Sequence, residues 1–229
     1  MNPSTIVVIG GLSGIGRAVA ERAAAAGARV IAAGRRAAPA DFPAQIETAQ
    51  LDIGDEDAVQ RFFAALGAVD HVVVTAGPVI PSQRIAELDI AAAQQAFDTK
   101  VFGQLRVAKH AAARIAPGGS ITLTSGLLAR KAVPGGLVKS AMNAAVEAIG
   151  KTLAKDLAPV RVNVVSPGMV ETGMWGPLPE AERQAMALRA GLPVGRVGQP
   201  DDLAAAYLMV AQNGFMTGAV IDVDGGGLL

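Results

Sequence analysis

Short, almost continuously apolar runs alternate along this chain with longer stretches of helical period. Thr5–Ile9 (TIVVI), Arg29–Ala33 (RVIAA), Asp70–Thr75 (DHVVVT), Ser120–Thr124 (SITLT), Arg161–Val165 (RVNVV) and Ala219–Val223 (AVIDV) have strand length and are rich in β-branched residues. Strands that are apolar at nearly every position are covered on both faces, as in parallel sheets. Between them, Ile15–Ala26, Ala91–Ala116, Ala141–Leu157 and Leu203–Gln212 read as helices, the second stopped by Pro117-Gly118-Gly119. The alternation predicts one α/β domain over residues 1–229: a parallel sheet with helices on both faces.

One segment breaks the alternation. GRRAAPADFPAQIETAQL, between Ala33 and Asp52, contains Pro39 and Pro43. A proline inside a helix removes a backbone donor and clashes with the preceding turn. The second crossover helix is therefore expected to be missing or reduced to a turn, with a short strand near Glu47–Leu51. A second pattern concerns the helix after Gly136. Lys139, Asn143, Glu147, Lys151 and Lys155 recur every four residues, opposite a stripe of Met142, Val146, Ile149, Leu153 and Leu157. That spacing predicts a solvated face carrying a Glu147–Lys151 pair.

Composition narrows the function classes. Half of the 229 residues are hydrophobic, and 20 basic residues balance 20 acidic ones. No basic stripe is present to neutralise a phosphate backbone, so a nucleic-acid partner is not expected. There is no cysteine, which removes thiolate nucleophiles and cysteine-based metal sites and fits a cytoplasmic location. His71 and His110 show no metal-ligand spacing, so no metal is expected. MNPSTIVVIGG has no basic n-region, and its apolar run is too short for a signal peptide or a membrane span.

Candidate chemistry begins with GGLSGIG, Gly10–Gly16, at the first strand-to-helix junction. Glycines 10, 14 and 16 permit a tight turn in which backbone N–H groups, including those around Leu12, Ser13 and Ile15, approach a pyrophosphate at a helix N-terminus. The plainer reading is an ordinary glycine-rich turn. Where NAD-binding proteins place an acid against the ribose 2′-hydroxyl, this chain has Gly34-Arg35-Arg36. Guanidinium groups pair with phosphate, so Arg35 and Arg36 point to NADP(H), against the alternative of a solvated basic turn.

GGLSGIG, VTAG at Val74–Gly77, RVNVVSPGMVET at Arg161–Thr172 and AVIDVDGG at Ala219–Gly226 together resemble the classical short-chain dehydrogenase/reductase family, in its order and over essentially the whole chain. The resemblance implies a Rossmann-type, doubly wound sheet with strand order 3-2-1-4-5-6-7, and hydride transfer between the nicotinamide of NADP(H) and a small carbonyl or alcohol substrate. It further implies a homodimer or homotetramer and a substrate lid at about 173–197, the segment that holds Trp175. Asp52 and Ile53 match the segment that contacts the adenine. Ala76 and Gly77 match the turn after the fourth strand, with Thr75 replacing the family's asparagine. Pro167, Gly168, Val170 and Thr172 match the segment that holds the nicotinamide. Ile9 stands where the family has a loop-bracing threonine.

Among catalytic residues, the resemblance assigns Ser125 to the serine that orients a substrate oxygen. It assigns Lys139 to the lysine that binds the nicotinamide ribose. The family's tyrosine, four residues before that lysine, falls on Gly135, and the interval from Ser125 to Lys139 is short. The family's helix asparagine falls on Lys100, or on Thr99 if the alignment slips by one. Lys139 then becomes the candidate for a non-standard proton donor, with Lys100, where it lies near Lys139, expected to lower an ammonium pKa through like-charge proximity. Lys139 as the first charge of a wet helix face, Ser125 as a turn-closing residue, and Arg130 and Lys131 as solvated loop charges are the plainer readings. A protein that keeps the cofactor half but not the chemistry, an NADP(H)-binding sensor or scaffold, is the functional alternative.

Overall fold

The computed structural model describes residues 4–173 and 179–229. Seven parallel strands lie in the order β3-β2-β1-β4-β5-β6-β7. They are β1 (Thr5–Ile9), β2 (Arg29–Gly34), β3 (Glu47–Gln50), β4 (Val69–Val74), β5 (Ile115–Thr124), β6 (Arg161–Pro167) and β7 (Val220–Val223). The helices are α1 (Gly14–Ala25), α2 (Glu56–Ala65), α3 (Ile90–Phe97), α4 (Gly103–Ala111), α5 (Leu137–Asp156), α6 (Glu180–Ala190) and α7 (Pro200–Gln212). Alternate residues of a strand point to opposite faces, so β1 contributes to two cores. Val7 and Ile9 join a core with Phe63, Val107 and Val146, beneath α2, α4 and α5. Ile6 and Val8 join one with Val19, Leu203 and Tyr207, beneath α1 and α7.

The proline-bearing crossover carries no helix. Its chain turns twice, with Phe42 N–H donating to Pro39 O at 3.0 Å and Ile46 N–H to Pro43 O at 3.1 Å. Arg17 anchors it to α1 by stacking 5.5 Å above the Phe42 ring and bonding Asp41. In β6, Asn163 pins the last strand: its amide donates to Met216 O at 2.8 Å and accepts Ala219 N–H at 3.1 Å.

Three expectations change. The stretch Ala91–Ala116 is not one helix. A π-helical turn, Asp98–Phe102, separates α3 from α4, and a 3-10 turn, Ala112–Arg114, ends the helical part. Gln104 Nε2 bonds Lys100 O at 3.0 Å, and Arg106 reaches back to Asp98, so side chains serve the widened turn. At the far end Ile115 pairs with Val69, and strand pairing overrides the helical propensity of the alanines. Second, α2 is an addition to the elements expected from the sequence, although its signals are ordinary. Asp55 caps it by accepting Ala58 N–H at 3.0 Å, and Val59 and Phe63 form its buried i,i+4 pair. Third, α5 begins at Leu137, and the face expected to be wet is buried at Asn143 and Glu147.

Candidate active site

A cleft of about 590 Å³ opens at the C-terminal ends of β1, β2 and β4. This is where ligands bind in doubly wound sheets. Its wall includes Gly10, Leu12, Ser13, Gly14, Ile15 and Gly16, then Arg35, Arg36, Ile53, Ala76, Gly77 and Thr172. Two glycines are required by close approach. At Gly10, with φ +87°, a Cβ would stand 2.6 Å from Ala76 N; at Gly16 it would stand 2.2 Å from Gly10 O. The hydroxyl missing at Ile9 is supplied from the turn just after β4: Thr75 Oγ1 donates to Ile9 O at 3.2 Å and lies against both glycines. Ser13 makes no side-chain cap, and the first turn of α1 holds no acid. Its N–H groups and positive dipole end are left for an anion. This bare-backbone cradle fits the pyrophosphate of a nicotinamide dinucleotide.

Arg35 and Arg36 are exposed on the cleft wall just beyond β2. Asp52 is exposed and its carboxylate closes a local turn by accepting Gly54 N–H at 2.9 Å, while its neighbours Leu51 and Ile53 line the cleft. Pro167 ends β6. Gly168 packs on Asp224, whose Cα a Cβ at 168 would meet at 2.5 Å, and Val170 bridges to Gly198. Of this segment, Thr172 and Gly173 reach the cleft wall. Residues 174–178, Trp175 among them, lie outside the described residues of the expected lid. Its described remainder carries α6 and a small core of Ala187, Leu192 and Val197.

Two of the residues expected at a reacting end, Ser125 and Lys100, meet at the end of β5. Ser125 is 3% exposed, and its hydroxyl donates inward to Glu147 Oε1 at 3.2 Å. Lys100, on the π-helical turn, donates from Nζ to Ser125 O at 2.9 Å. Burial lowers the Lys100 pKa to about 8. Its aliphatic stem passes the cleft-lining Gly77, with Cδ 3.9 Å from where a Cβ there would stand. Thr99 also lines the cleft. Lys139 does not line the cleft but a separate, smaller cavity of about 30 Å³, with Ile80, Gly135 and Val138, and its Nζ donates to Ser82 Oγ at 3.0 Å. The only tyrosine, Tyr207, is fully buried, its hydroxyl 2.5 Å from Thr124 Oγ1 and its pKa raised by burial.

Arg130, which stays exposed, and Lys131, which is half-buried, are loop charges that each hold specific partners. Arg130 bonds Asp222 at 2.8 Å, Glu147 at 3.3 Å and Ser166 at 3.3 Å; Lys131 donates to Gly227 O at 2.6 Å. They tie the loop after β5 to β6, β7 and the C-terminal segment. Glu147 consequently faces Arg130 and Ser125 from inside the protein, and not Lys151 on a wet surface. Its position on α5 reads as solvated in sequence because the cation that neutralises it is 17 residues away. No group of three metal-ligating side chains occurs among the described residues. No described helix is long and apolar enough to cross a membrane.

Sheet order, glycine cradle and cleft together define a dinucleotide-binding oxidoreductase domain. Residues 10–227 match the family model described as Enoyl-(Acyl carrier protein) reductase. A short-chain dehydrogenase/reductase, ATR9, of Stachybotrys chlorohalonatus is 34% identical over 98% of this chain and 97% of its own. Cis-4-hydroxycyclohexanecarboxylate dehydrogenase of Sinomonas cyclohexanicum is 32% identical over 96% of this chain and 94% of its own. The crystal structure of a small-chain dehydrogenase in complex with NADPH aligns with a TM-score of 0.83 at 43% identity, covering 99% of both chains. The chain belongs to the short-chain dehydrogenase/reductase family and is an oxidoreductase of the nicotinamide-dependent class.

Proposed function

We propose that the protein is an NADP(H)-dependent oxidoreductase that interconverts a carbonyl and an alcohol, with a lysine ammonium, that of Lys100, as its proton donor. The observation that carries the cofactor choice is the pair Arg35 and Arg36 on the cleft wall beyond β2, where no acid stands. The related small-chain dehydrogenase solved with NADPH supports it. A bound nicotinamide supplies or accepts the hydride. In reduction, as hydride reaches the carbonyl carbon, the Lys100 ammonium gives a proton to the oxygen. The neutral amine then recovers a proton from solvent. An amine with a pKa of about 8 is partly deprotonated near neutrality, which suits a group that must give and retake a proton. The described part of 173–197 covers the substrate in this reading, and sedimentation is expected to give a homodimer or homotetramer.

The test is cofactor titration followed by turnover on a panel of aldehydes and ketones. Arg35→Ala/Arg36→Ala should weaken NADPH binding about 10- to 100-fold, the size of lost charge-assisted hydrogen bonds, and leave NADH nearly unchanged. Wild-type binding of NADH as tight as that of NADPH would remove the cofactor assignment.

A further inference from the structure

The chain between β2 and β3 carries the two arginines of the cleft wall on backbone that no helix holds. Residues 35–46 contain no helix. Arg35, Arg36, Ala37 and Pro39 line the cleft. Among the described residues neither guanidinium has a hydrogen-bond or ion-pair partner, so each stands where its backbone puts it. That backbone is fastened on both sides of the wall residues. On one side Gln50 Nε2 donates to Arg35 O at 3.0 Å. On the other, Arg17 of α1 takes hold at Asp41 and Phe42. Its Nη1 donates to Asp41 Oδ2 at 3.0 Å and its Nη2 to Asp41 O at 3.2 Å, with the Phe42 ring stacked against the guanidinium.

Arg17 directly follows Gly16, so the helix start that forms the anion cradle also holds this strap. Glu21, one turn on, accepts Arg17 Nε–H at 2.7 Å and fixes the direction of the guanidinium fork. Arg17 is not on the cleft wall and reaches the ligand site only through the strap. A loose segment would have to be ordered each time a cofactor entered, at a cost in affinity; a fastened one is ordered beforehand. Each contact is modest by itself, because the Arg17 side chain is 28% exposed, but all of them act on one segment.

We infer that Arg17 is a positioning residue for cofactor choice: it fastens the helix-less strap to α1 and so holds Arg35 and Arg36 where the 2′-phosphate of NADP(H) binds. The strap meets the ligand, and Arg17 acts through it. The inference rests on the proposed cofactor and deepens it by naming what sustains the preference.

The experiment compares ligands that differ only in the 2′-phosphate. NADPH against NADH, and 2′,5′-ADP against 5′-AMP, are titrated into wild type, Arg17→Ala, Arg17→Lys and Asp41→Ala, with a Tm for each. Arg17→Ala should weaken NADPH and 2′,5′-ADP about 3- to 10-fold and leave NADH and 5′-AMP nearly unchanged. Arg17→Lys keeps the charge without the planar fork and should lose most of the same preference. Asp41→Ala separates fastening from a simple charge effect. Removing an acid near the site would by its field alone tighten NADPH, whereas losing a fastening weakens it about 2- to 5-fold. Tighter NADPH binding in Asp41→Ala overturns the inference, as does an unchanged NADPH-to-NADH ratio in Arg17→Ala or a full preference retained in Arg17→Lys. Equal weakening of all four ligands with a lowered Tm also overturns it, because that marks a role in the packing of α1 alone. Wild type that binds NADH as tightly as NADPH overturns the cofactor assignment itself, and that result is read before any variant is made.

Discussion

At the residue scale, Lys100 joins stability to chemistry. Its pKa is lowered to about 8 by burial, so the folded protein holds its proton less tightly than the unfolded chain does. Lys100 therefore opposes folding below pH ~8, and that opposition fades as pH rises from about 8 towards the free amine's ~10.4. Lys100→Met should raise Tm at pH 7, with the gain shrinking between pH 8 and 10; an unchanged Tm at pH 7 would show that the amine is well solvated. The same titration should appear in activity. If Lys100 is the proton donor as proposed, carbonyl reduction by wild type should fall as pH rises through about 8. Lys100→Met should remove that limb and lower kcat by about 10²–10⁴, the usual worth of a general acid. Nothing in the local sequence FDTKVFG reveals this pKa, which comes from the burial of Lys100 beside the end of β5.

At the element scale, α5 shows how a helix start decides what a motif means. A family pattern of two residues four apart is a helical contact, and it exists only where both positions are helical. Gly135→Tyr should therefore give no gain in turnover, because residue 135 lies ahead of the helix with φ +78°. Lys139→Tyr/Asn143→Lys places the tyrosine and the lysine on one face and should raise turnover over wild type. Steady-state rates of the two variants with NADPH decide between the registers. The helix α2 is a simpler case. Its Asp cap and its Val59–Phe63 pair are both present in the sequence, but so short a segment between strong strands stands out poorly. Phe63 is 1% exposed, and Phe63→Ala should cost about 3–5 kcal/mol in urea unfolding. Its NADPH affinity should stay unchanged, because Phe63 sits in the core beneath α2 and not on the cleft wall.

At the scale of the whole molecule, the sheet and the cofactor half are already legible in the order of the residues. Apolar strand runs can be satisfied only between two helical layers, and the prolines at 39 and 43 leave no room for a crossover helix. Glycines at 10 and 16 mark a backbone approach that any side chain would block, and the arginines at 35 and 36 come directly after the end of β2. These features are local: each is written within a few residues. The reacting end is different, because it is settled by packing. Ser125 turns inward to Glu147, Arg130 crosses to Asp222, Thr75 braces the loop beneath Ile9, and Asn143 settles over Gly126. Each of these depends on partners from separate elements, and a helical period cannot tell a polar face turned to water from one turned to a buried cation. The charge pattern of α5 is the same in both cases; the difference lies in what the rest of the chain packs against it.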